Sequence, residues 1–337
     1  MGGFGKIFNI NIFGESHGEI VGVVINGCPS GIKIGLNDFK SDIGRRRAGK
    51  KGGTSRKETD APFIKTGVLG SRTTGAPITI LFENKNTRGG DYDFVKETPR
   101  PGHADFVAMK KYSGYNDLRG GGHFSGRLTL PLVAAGVIAK KIVEPICIKA
   151  KILEIGGTRD FTSAINLAIK EKDSIGGIIE CSASNIPVGL GEPFFDSIES
   201  LISHLVFSIP AVKGIEFGAG FASTEMRGSI HNDMIIDGKG KTATNNSGGI
   251  NGGITNGNPL IYRVAVKPTP SIGKEQKTFN MKTRKIVSLS IKGRHDACIA
   301  LRVSPAIEAA TAIVLADLLM LQKRNSWKGD LYGSSKN

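Results

Sequence analysis

The stretch IFNINIFGESHGEIVGVVIN, residues 7–26, carries the most information about the fold. Residues 7–13 and residues 19–26 are both predicted to be β-strands, the second because it is rich in Val and Ile. Between them lies the polar pentapeptide Gly14-Glu15-Ser16-His17-Gly18. The pattern therefore predicts a strand–turn–strand corner that exposes Ser16 and His17.

The same pentapeptide matches G-x-S-x-G, the nucleophile elbow of α/β-hydrolases, but that elbow requires a helix after the serine. The strand-like residues 19–26 argue against this alternative. The hydrolase alternative predicts that a fluorophosphonate labels Ser16, and we expect no labelling. A lone histidine is more often structural than catalytic, although its unperturbed pKa suits proton transfer at neutral pH. His17 therefore needs support from other motifs.

Two such motifs join a histidine to a carboxylate. Arg100-Pro101-Gly102-His103-Ala104-Asp105 precedes a helix predicted at residues 104–113, and Asp105 would occupy its first turn, where a carboxylate is favoured. Gly293-Arg294-His295-Asp296 follows a strand predicted at residues 286–291. Two loops of this kind and a Ser-His corner are more than one core usually requires, which indicates an active site.

The rest of the chain is predicted to contain both strands and helices. Further strands are predicted at residues 63–69, 77–82, 178–181, 214–217 and 261–266, and helices at residues 125–143, 161–170, 196–207 and 304–321. The last helix is the clearest, with Ser304 as its cap and Pro305 at its first position. Because no Pro/Ser-rich linker or charge block divides the chain, we expect one α+β domain over residues 1–325 and a flexible tail at residues 326–337.

An internal similarity joins residues 74–78 to residues 256–260, TGAPI against NGNPL. Each copy is followed by a strand, by a loop with His and Asp, and by a long helix. Two interpretations are open. The segments are copies of a duplicated unit with the site between them, or the similarity arose by chance. Superposing residues 60–145 on residues 240–325 distinguishes the two.

The formal charge of +15, from 45 Lys and Arg against 30 Asp and Glu, indicates anionic partners. Nucleic acid is disfavoured, because one Trp and five Tyr leave few stacking residues and no basic motif is interleaved with aromatics. Guanidinium groups match phosphate and carboxylate, although a solvated basic face is the simple alternative for residues 45–47. The glycines of residues 120–122, just before the helix predicted from residue 125, suggest a phosphate-binding helix N-terminus.

Nothing in the composition indicates a membrane span, a signal peptide, a disulfide framework or a metal site. No apolar run reaches the roughly 18 residues of a membrane span, and the N-terminus lacks a signal-peptide pattern, so a cytoplasmic protein with no membrane partner is expected. The four cysteines are far apart and contain no C-x-x-C pair. We therefore expect free thiols, and neither a disulfide framework nor a metal site.

Taken together, the motifs resemble the chorismate synthase family over almost the whole chain. The matching segments are residues 13–18 (FGESHG), 45–47 (RRR), 73–75 (TTG), Asn84, residues 100–106 (RPGHADF), 119–122 (RGGG), 211–214 (AVKG), 227–233 (RGSIHND), 248–249 and 252–253 (each GG), 267–271 (KPTPS), 293–296 (GRHD) and 308–309 (EA). This set in this order is highly specific.

The resemblance implies a function. The family converts 5-enolpyruvylshikimate 3-phosphate into chorismate and phosphate, and it requires reduced FMN without net redox change. NADPH is a possible reductant. The family fold is a β-α-β sandwich, usually in a homotetramer. Substrate and flavin together carry about six negative charges, which accounts for a surplus of Arg and Lys.

The resemblance also implies roles for individual residues. The catalytic set is His17, His103, Asp296, Ser16 and Ser125. The flavin would lie against His123, Phe124, Ser125, Pro210, Ala211, Gly252, Lys267, Pro268, Thr269, Pro270, Ser271 and Arg294. The substrate anions would be held by Arg45, Arg47, Arg100, Arg127 and Arg294. The chain departs from the family pattern at His123-Phe124, at Pro210 and at Ser247, where the family has Arg-Ser, Asn and His, and these departures concern flavin and nicotinamide contacts.

Overall fold

A computed structural model describes residues 3–47, 51–54, 56, 58–87, 89–291 and 296–325. Its strands are β1 (Gly3–Phe4), β2 (Asn9–Gly14), β3 (Ile20–Asn26), β4 (Phe63–Ile64), β5 (Val68–Leu69), β6 (Arg72–Thr73), β7 (Ile78–Glu83), β8 (Cys147–Ile155), β9 (Gly177–Ser184), β10 (Val212–Phe217), β11 (Ile250–Asn251), β12 (Ile254–Thr255), β13 (Leu260–Val266), β14 (Gln276–Asn280) and β15 (Lys285–Leu289). Its α-helices are α1 (Lys40–Arg46), α2 (Asp105–Lys111), α3 (Thr129–Ile142), α4 (Phe161–Lys170), α5 (Ile198–Phe207), α6 (Gly228–His231) and α7 (Ser304–Asn325).

The predicted corner lies in a five-stranded sheet of order β1-β2-β3-β7-β4, in which all neighbours are antiparallel. Val21, Val23 and Ile25 of β3 are fully buried, because alternate side chains of a strand point to the same face. Strands β2 and β3 pair directly, with Gly14 opposite Val21. The strand–turn–strand prediction is confirmed, and the helix that a hydrolase elbow needs does not follow Ser16. The predicted exposure of Ser16 and His17 is wrong, because neighbouring segments cover the turn and leave the two residues only 1% and 8% exposed.

A second antiparallel sheet has the order β10-β13-β9-β8. Helix α3 packs on β3 and β7 of the first sheet, α7 packs on β8 and β9 of the second, and the two helices pack on each other. A Cβ atom at Gly136 of α3 would lie 2.2 Å from the Cβ of Ala309 in α7, so small side chains allow this close approach. One hydrophobic cluster contains residues of both sheets and both helices, and the chain is therefore of mixed α and β class.

Helix α7 is long and apolar enough to cross a membrane by length and composition alone. Within the protein, however, 83% of its most apolar window is buried. A helix that is apolar on all sides is typical of the centre of a large core. We therefore assign α7 to the interior, where it packs on β8, β9 and α3.

The glycines of residues 120–122 do not open an α-helix, and this prediction is wrong. Their φ angles are +59°, +84° and +51°, inside a 3-10 turn at Arg119–Phe124, and three left-handed residues cannot belong to a right-handed helix. Ser125 caps a second 3-10 turn by accepting a hydrogen bond from the backbone N–H of Arg127, and α3 begins only at Thr129. Gly120 of this run instead lines the cavity described below.

The internal similarity has a structural counterpart. Gly75 and Gly257 have nearly equal φ angles, +89° and +87°, and the strands that follow them, β7 and β13, each lie inside a sheet. The long helices of the two segments, α3 and α7, pack on each other. These correspondences favour a duplicated unit, and superposition of the two segments remains its test.

Candidate active site

A cavity of about 980 Å³ lies where the Ser-His corner, the glycine turn and the loops after both sheets meet. All five predicted catalytic residues line it: Ser16, His17, His103, Ser125 and Asp296. The sequence separates these residues by up to 280 positions, and only the packing of the two sheets against the central helices brings them together.

The Ser-His corner is held from several sides. The backbone N–H of Ser16 donates to the carbonyl of Gly122 at 3.0 Å. The Asn84 amide donates to the carbonyls of Glu15 at 3.0 Å and Gly18 at 2.8 Å, so it spans the turn. His17 is 8% exposed. Rigid placement of this kind is what a group that transfers protons requires.

The glycine turn passes directly against both candidate histidines. A Cβ atom at Gly120 would lie 2.1 Å from Cε1 and Nδ1 of His17, and one at Gly121 would lie 3.1 Å from Nε2 of His103. Both glycines also have left-handed φ angles, which side chains disfavour. The turn is therefore built from glycine because any larger residue would displace the two imidazoles.

His103 is oriented by a buried ion pair. Arg100 donates from Nε and Nη2 to the two carboxylate oxygens of Asp105, both at 2.7 Å. Asp105 Oδ1 also lies 2.6 Å from Nδ1 of His103. Burial alone would raise the pKa of Asp105, but hydrogen bonds from Arg100 and His103 outweigh it and hold this pKa well below its usual range. A permanent carboxylate therefore fixes the imidazole.

The tautomer of His103 follows from these contacts. Arg100 Nη2 lies 3.1 Å from the same Nδ1, but a guanidinium can only donate, so the shorter contact with Asp105 assigns the proton to Nδ1. Nε2 then faces the glycine turn with its lone pair. Burial lowers the pKa of His103, the positive charges of Arg100 and Lys267 lower it further, and Asp105 opposes them. The ring is therefore neutral at neutral pH.

Asp296, which precedes α7 in the chain, also lines the cavity. Its side chain accepts hydrogen bonds from the backbone N–H of Thr54 at 2.9 Å and from Arg302 at 2.6 Å, and the residue is 6% exposed. Arg294 and His295, predicted from the same motif, lie outside the described residues. The motif contributes at least this one anchored carboxylate.

Two arginines of the cavity wall are buried with a shared partner. Arg127 pairs with Asp60 and donates to Oδ1 of Asn84 at 2.9 Å, while Arg46 lies 3.6 Å from the same Asp60. Burial lowers the pKa of Arg46 to about 9, and the nearby charge of Arg302 contributes. One carboxylate thus faces two cations, which leaves net positive charge on this wall.

The predicted flavin and substrate residues divide into two groups. The cavity is lined by His123, Phe124, Ser125, Pro210, Ala211, Lys267, Thr269, Pro270, Ser271, Arg47, Arg100 and Arg127. Pro268 and Gly252 do not line it, and Gly252 forms the turn between β11 and β12 instead. Arg45 does not line it either, because its guanidinium binds Glu308 of α7 and Asp42. Successive helical residues point about 100° apart, so only part of the Arg triplet can face the cavity.

Several lining residues were not predicted. Arg46 stands out in the sequence only as part of the Arg triplet, and Arg56, Glu58, Asp60 and Tyr92 belong to none of the motifs. The Tyr92 ring lies edge-on to His17 with centroids 5.3 Å apart and beneath the Arg100 guanidinium at 5.6 Å. These residues come from irregular segments without a periodic pattern, so the sequence offered no signal beyond their charge or aromatic character.

The cavity has a surplus of positive charge. Among the described residues that line it, seven are Arg or Lys (Arg46, Arg47, Arg56, Arg100, Arg127, Lys267 and Arg302) and three are Asp or Glu (Glu58, Asp60 and Asp296). Four histidines line it as well. The fold and the cavity define an enzyme for a polyanionic small molecule, with histidine and carboxylate groups for proton transfer.

Comparison with known proteins agrees with this class. A family model described as chorismate synthase matches residues 8–320. A chorismate synthase of Chitinophaga pinensis is 61% identical over 97% of this chain and 98% of its own length, and one of Thermococcus kodakarensis is 44% identical over 96% and 99%. A crystal structure of chorismate synthase matches with a TM-score of 0.72 at 25% identity, covering 94% of this chain and 93% of the other. The chain belongs to the chorismate synthase family.

Proposed function

We propose that the protein removes phosphate from 5-enolpyruvylshikimate 3-phosphate by anti-1,4-elimination to give chorismate, in dependence on reduced FMN, as a lyase of the shikimate pathway. The observation that supports this most directly is the convergence of Ser16, His17, His103 and Asp296 in one cavity with surplus guanidinium charge. The substrate carries a phosphate and two carboxylates, which such a wall binds as ionised groups.

The cavity suits a flavin beside the substrate. Its volume of about 980 Å³ lies at the upper end of the range for clefts that bind one drug-sized ligand, so it has room for two small molecules in contact. The side chains of Ser125, Thr269 and Ser271 and the ammonium of Lys267 line it and match the polar groups of FMN. His123 to Ser125 and Pro210-Ala211 would complete the flavin site.

Reduced FMN, when bound, supplies transient electron density that allows phosphate to leave although the C–H bond to be broken is not acidic. His17 protonates the departing phosphate. His103 would hold the flavin and would give or take a proton at Nε2, while Asp105 keeps Nδ1 protonated. Asp296 accepts the proton that leaves the substrate carbon. Arg47, Arg100 and Arg127 hold the substrate anions, and Ser16 and Ser125 orient the two ligands.

We further propose the finer properties that the family implies. The layers of sheet, α3, α7 and sheet would form the family's β-α-β sandwich as one domain over residues 1–325. A homotetramer in the cytoplasm without nucleic-acid or membrane partners fits this function. Light scattering at several protein concentrations tests the tetramer, and retention of the protein on DNA at moderate salt would contradict the nucleic-acid part.

The decisive experiment is an anaerobic assay with chemically reduced FMN and the substrate. Equal release of phosphate and chorismate is expected. Turnover without flavin, or none with it, would overturn the assignment. A second reaction with oxidised FMN and NADPH as the sole reductant shows whether the enzyme reduces its own flavin, and both results of that arm are compatible with the lyase activity.

A further inference from the structure

Arg56 lies on the cavity wall and belongs to none of the motifs that indicated the site. Its Nη1 donates to Oγ of Ser16 at 3.0 Å, and its Nη2 donates to the backbone carbonyl of the same residue at 3.0 Å. Two nitrogens of one planar group thus hold the side chain and the main chain of Ser16 together. A lysine could not reproduce this geometry, because it presents a single nitrogen.

Glu58 fixes the guanidinium in turn. Its Oε1 accepts from Nη2 of Arg56 at 2.8 Å and from Nε at 3.1 Å. Its two oxygens also accept from the backbone N–H groups of Lys85 and Asn86, both at 3.1 Å. Burial alone would raise the pKa of Glu58, but the hydrogen bond from Arg56 and those from the backbone hold it below its ordinary value. Arg56 is therefore tied to the segment that follows β7.

The contacts with Arg56 fix the hydrogen-bonding role of the Ser16 hydroxyl group. A guanidinium has no acceptor, so Ser16 Oγ must accept in its contact with Arg56, and the hydroxyl proton points elsewhere. The backbone N–H of Ser16 is already bonded to Gly122. Oγ and the His17 ring flank the same point, since a Cβ at Gly120 would lie 2.9 Å from Oγ and 2.1 Å from the ring. Ser16 is thereby set as a donor beside His17.

We propose that Arg56 is a positioning residue, which, anchored by Glu58, orients the Ser16 hydroxyl to donate a hydrogen bond to the leaving phosphate. The proposal rests on the lyase function proposed above. It differs from two simpler roles. As a direct ligand of the substrate Arg56 would act independently of Ser16, and as a folding residue it would change stability without a specific effect on turnover.

A double-mutant cycle between Arg56→Gln and Ser16→Ala tests the proposal in the full-length chain with reduced FMN. Arg56→Gln is expected to lower kcat about tenfold to a hundredfold, the usual effect of losing a hydrogen bond to a charged group, with little change in KM. In the Ser16→Ala background the same change should have almost no further effect, because the hydroxyl that it orients is gone. Glu58→Gln should cause a smaller loss with the same dependence on Ser16.

Arg72 provides the matched control, since it is an exposed arginine that donates to the carbonyl of Gly31 and does not line the cavity. Arg72→Gln should leave kcat and KM unchanged. Thermal melts show which variants fold, and Arg56→Lys takes the place of Arg56→Gln in the cycle if the latter does not. Additive losses in the cycle, or a rise in KM alone, would overturn the proposal. An inactive wild-type enzyme would instead refute the proposed function itself.

Discussion

Replacing Gly120 with Ala tests whether the glycine turn sets the position of His17. The new Cβ would lie 2.1 Å from two ring atoms, whereas ordinary van der Waals contact begins at 3.4 Å. The ring cannot retreat freely, because it is 8% exposed and its edge meets Tyr92. A shift of roughly 1 Å in a reacting group can cost about a hundredfold in rate, so we expect kcat to fall by about that factor.

The same substitution should destabilise the fold only modestly. Ala at a φ of +59° costs roughly 1–2 kcal/mol, the penalty of a left-handed residue with a Cβ atom. Gly70→Ala is the matched control, because Gly70 has a φ of +53° and no atom within 4 Å of its Cβ position. Chorismate formation under anaerobic conditions and urea unfolding give the two readouts. Equal activity of the two variants would refute the reasoning.

Three further predictions concern the charged groups of the cavity. His103→Ala and Asp296→Ala should each reduce kcat far more than they raise KM in the same assay, and a wild-type rate in either variant removes that residue from the mechanism. Because the pKa of His103 is lowered in the folded state, its neutral form contributes stability above about pH 6.5 that is lost as the pH falls through the folded pKa. His103→Gln should therefore flatten the dependence of the unfolding free energy on pH over that interval, and an unchanged slope in urea titrations at several pH values would contradict this. Asp60→Asn removes the carboxylate that the buried Arg127 and Arg46 share, so it should destabilise the protein by about 3–5 kcal/mol; a loss below about 1 kcal/mol by the same method would show that these groups are solvated.

The local elements of the site were predictable because their signals are local. Val and Ile on both sides of the Ser-His pentapeptide predict the antiparallel pair, and the structure has it as β2 and β3. Ser304 and Pro305 mark the start of the last helix, and α7 begins at Ser304. Period and capping residues act over a few positions, so a sequence reveals them without knowledge of packing.

The direction of individual side chains was less predictable. Three successive arginines look equivalent in the sequence, yet Arg45 binds Glu308, Arg46 is buried against Asp60, and Arg47 is exposed on the cavity. The choice depends on the rotation of α1 against α3 and α7. Likewise, the glycine run suggested a helix N-terminus, and only the folded structure explains why three glycines are needed. Cβ atoms at Gly120 and Gly121 would meet the two imidazoles, and one at Gly122 would lie 2.0 Å from the carbonyl oxygen of Asp117.

The sequence alone determined the class of the protein, because the motifs, their order and the positive charge are properties of the chain. Tertiary structure decided which of the candidate groups meet. His17, His103 and Asp296 converge because α3 and α7 pack on each other and each also packs on one of the two sheets, and this burial is governed by the whole apolar surface. Arg56 is the clearest example of a residue whose role the sequence does not indicate. Nothing in its neighbourhood along the chain indicates a role, and its two hydrogen bonds to Ser16 exist only in the folded protein.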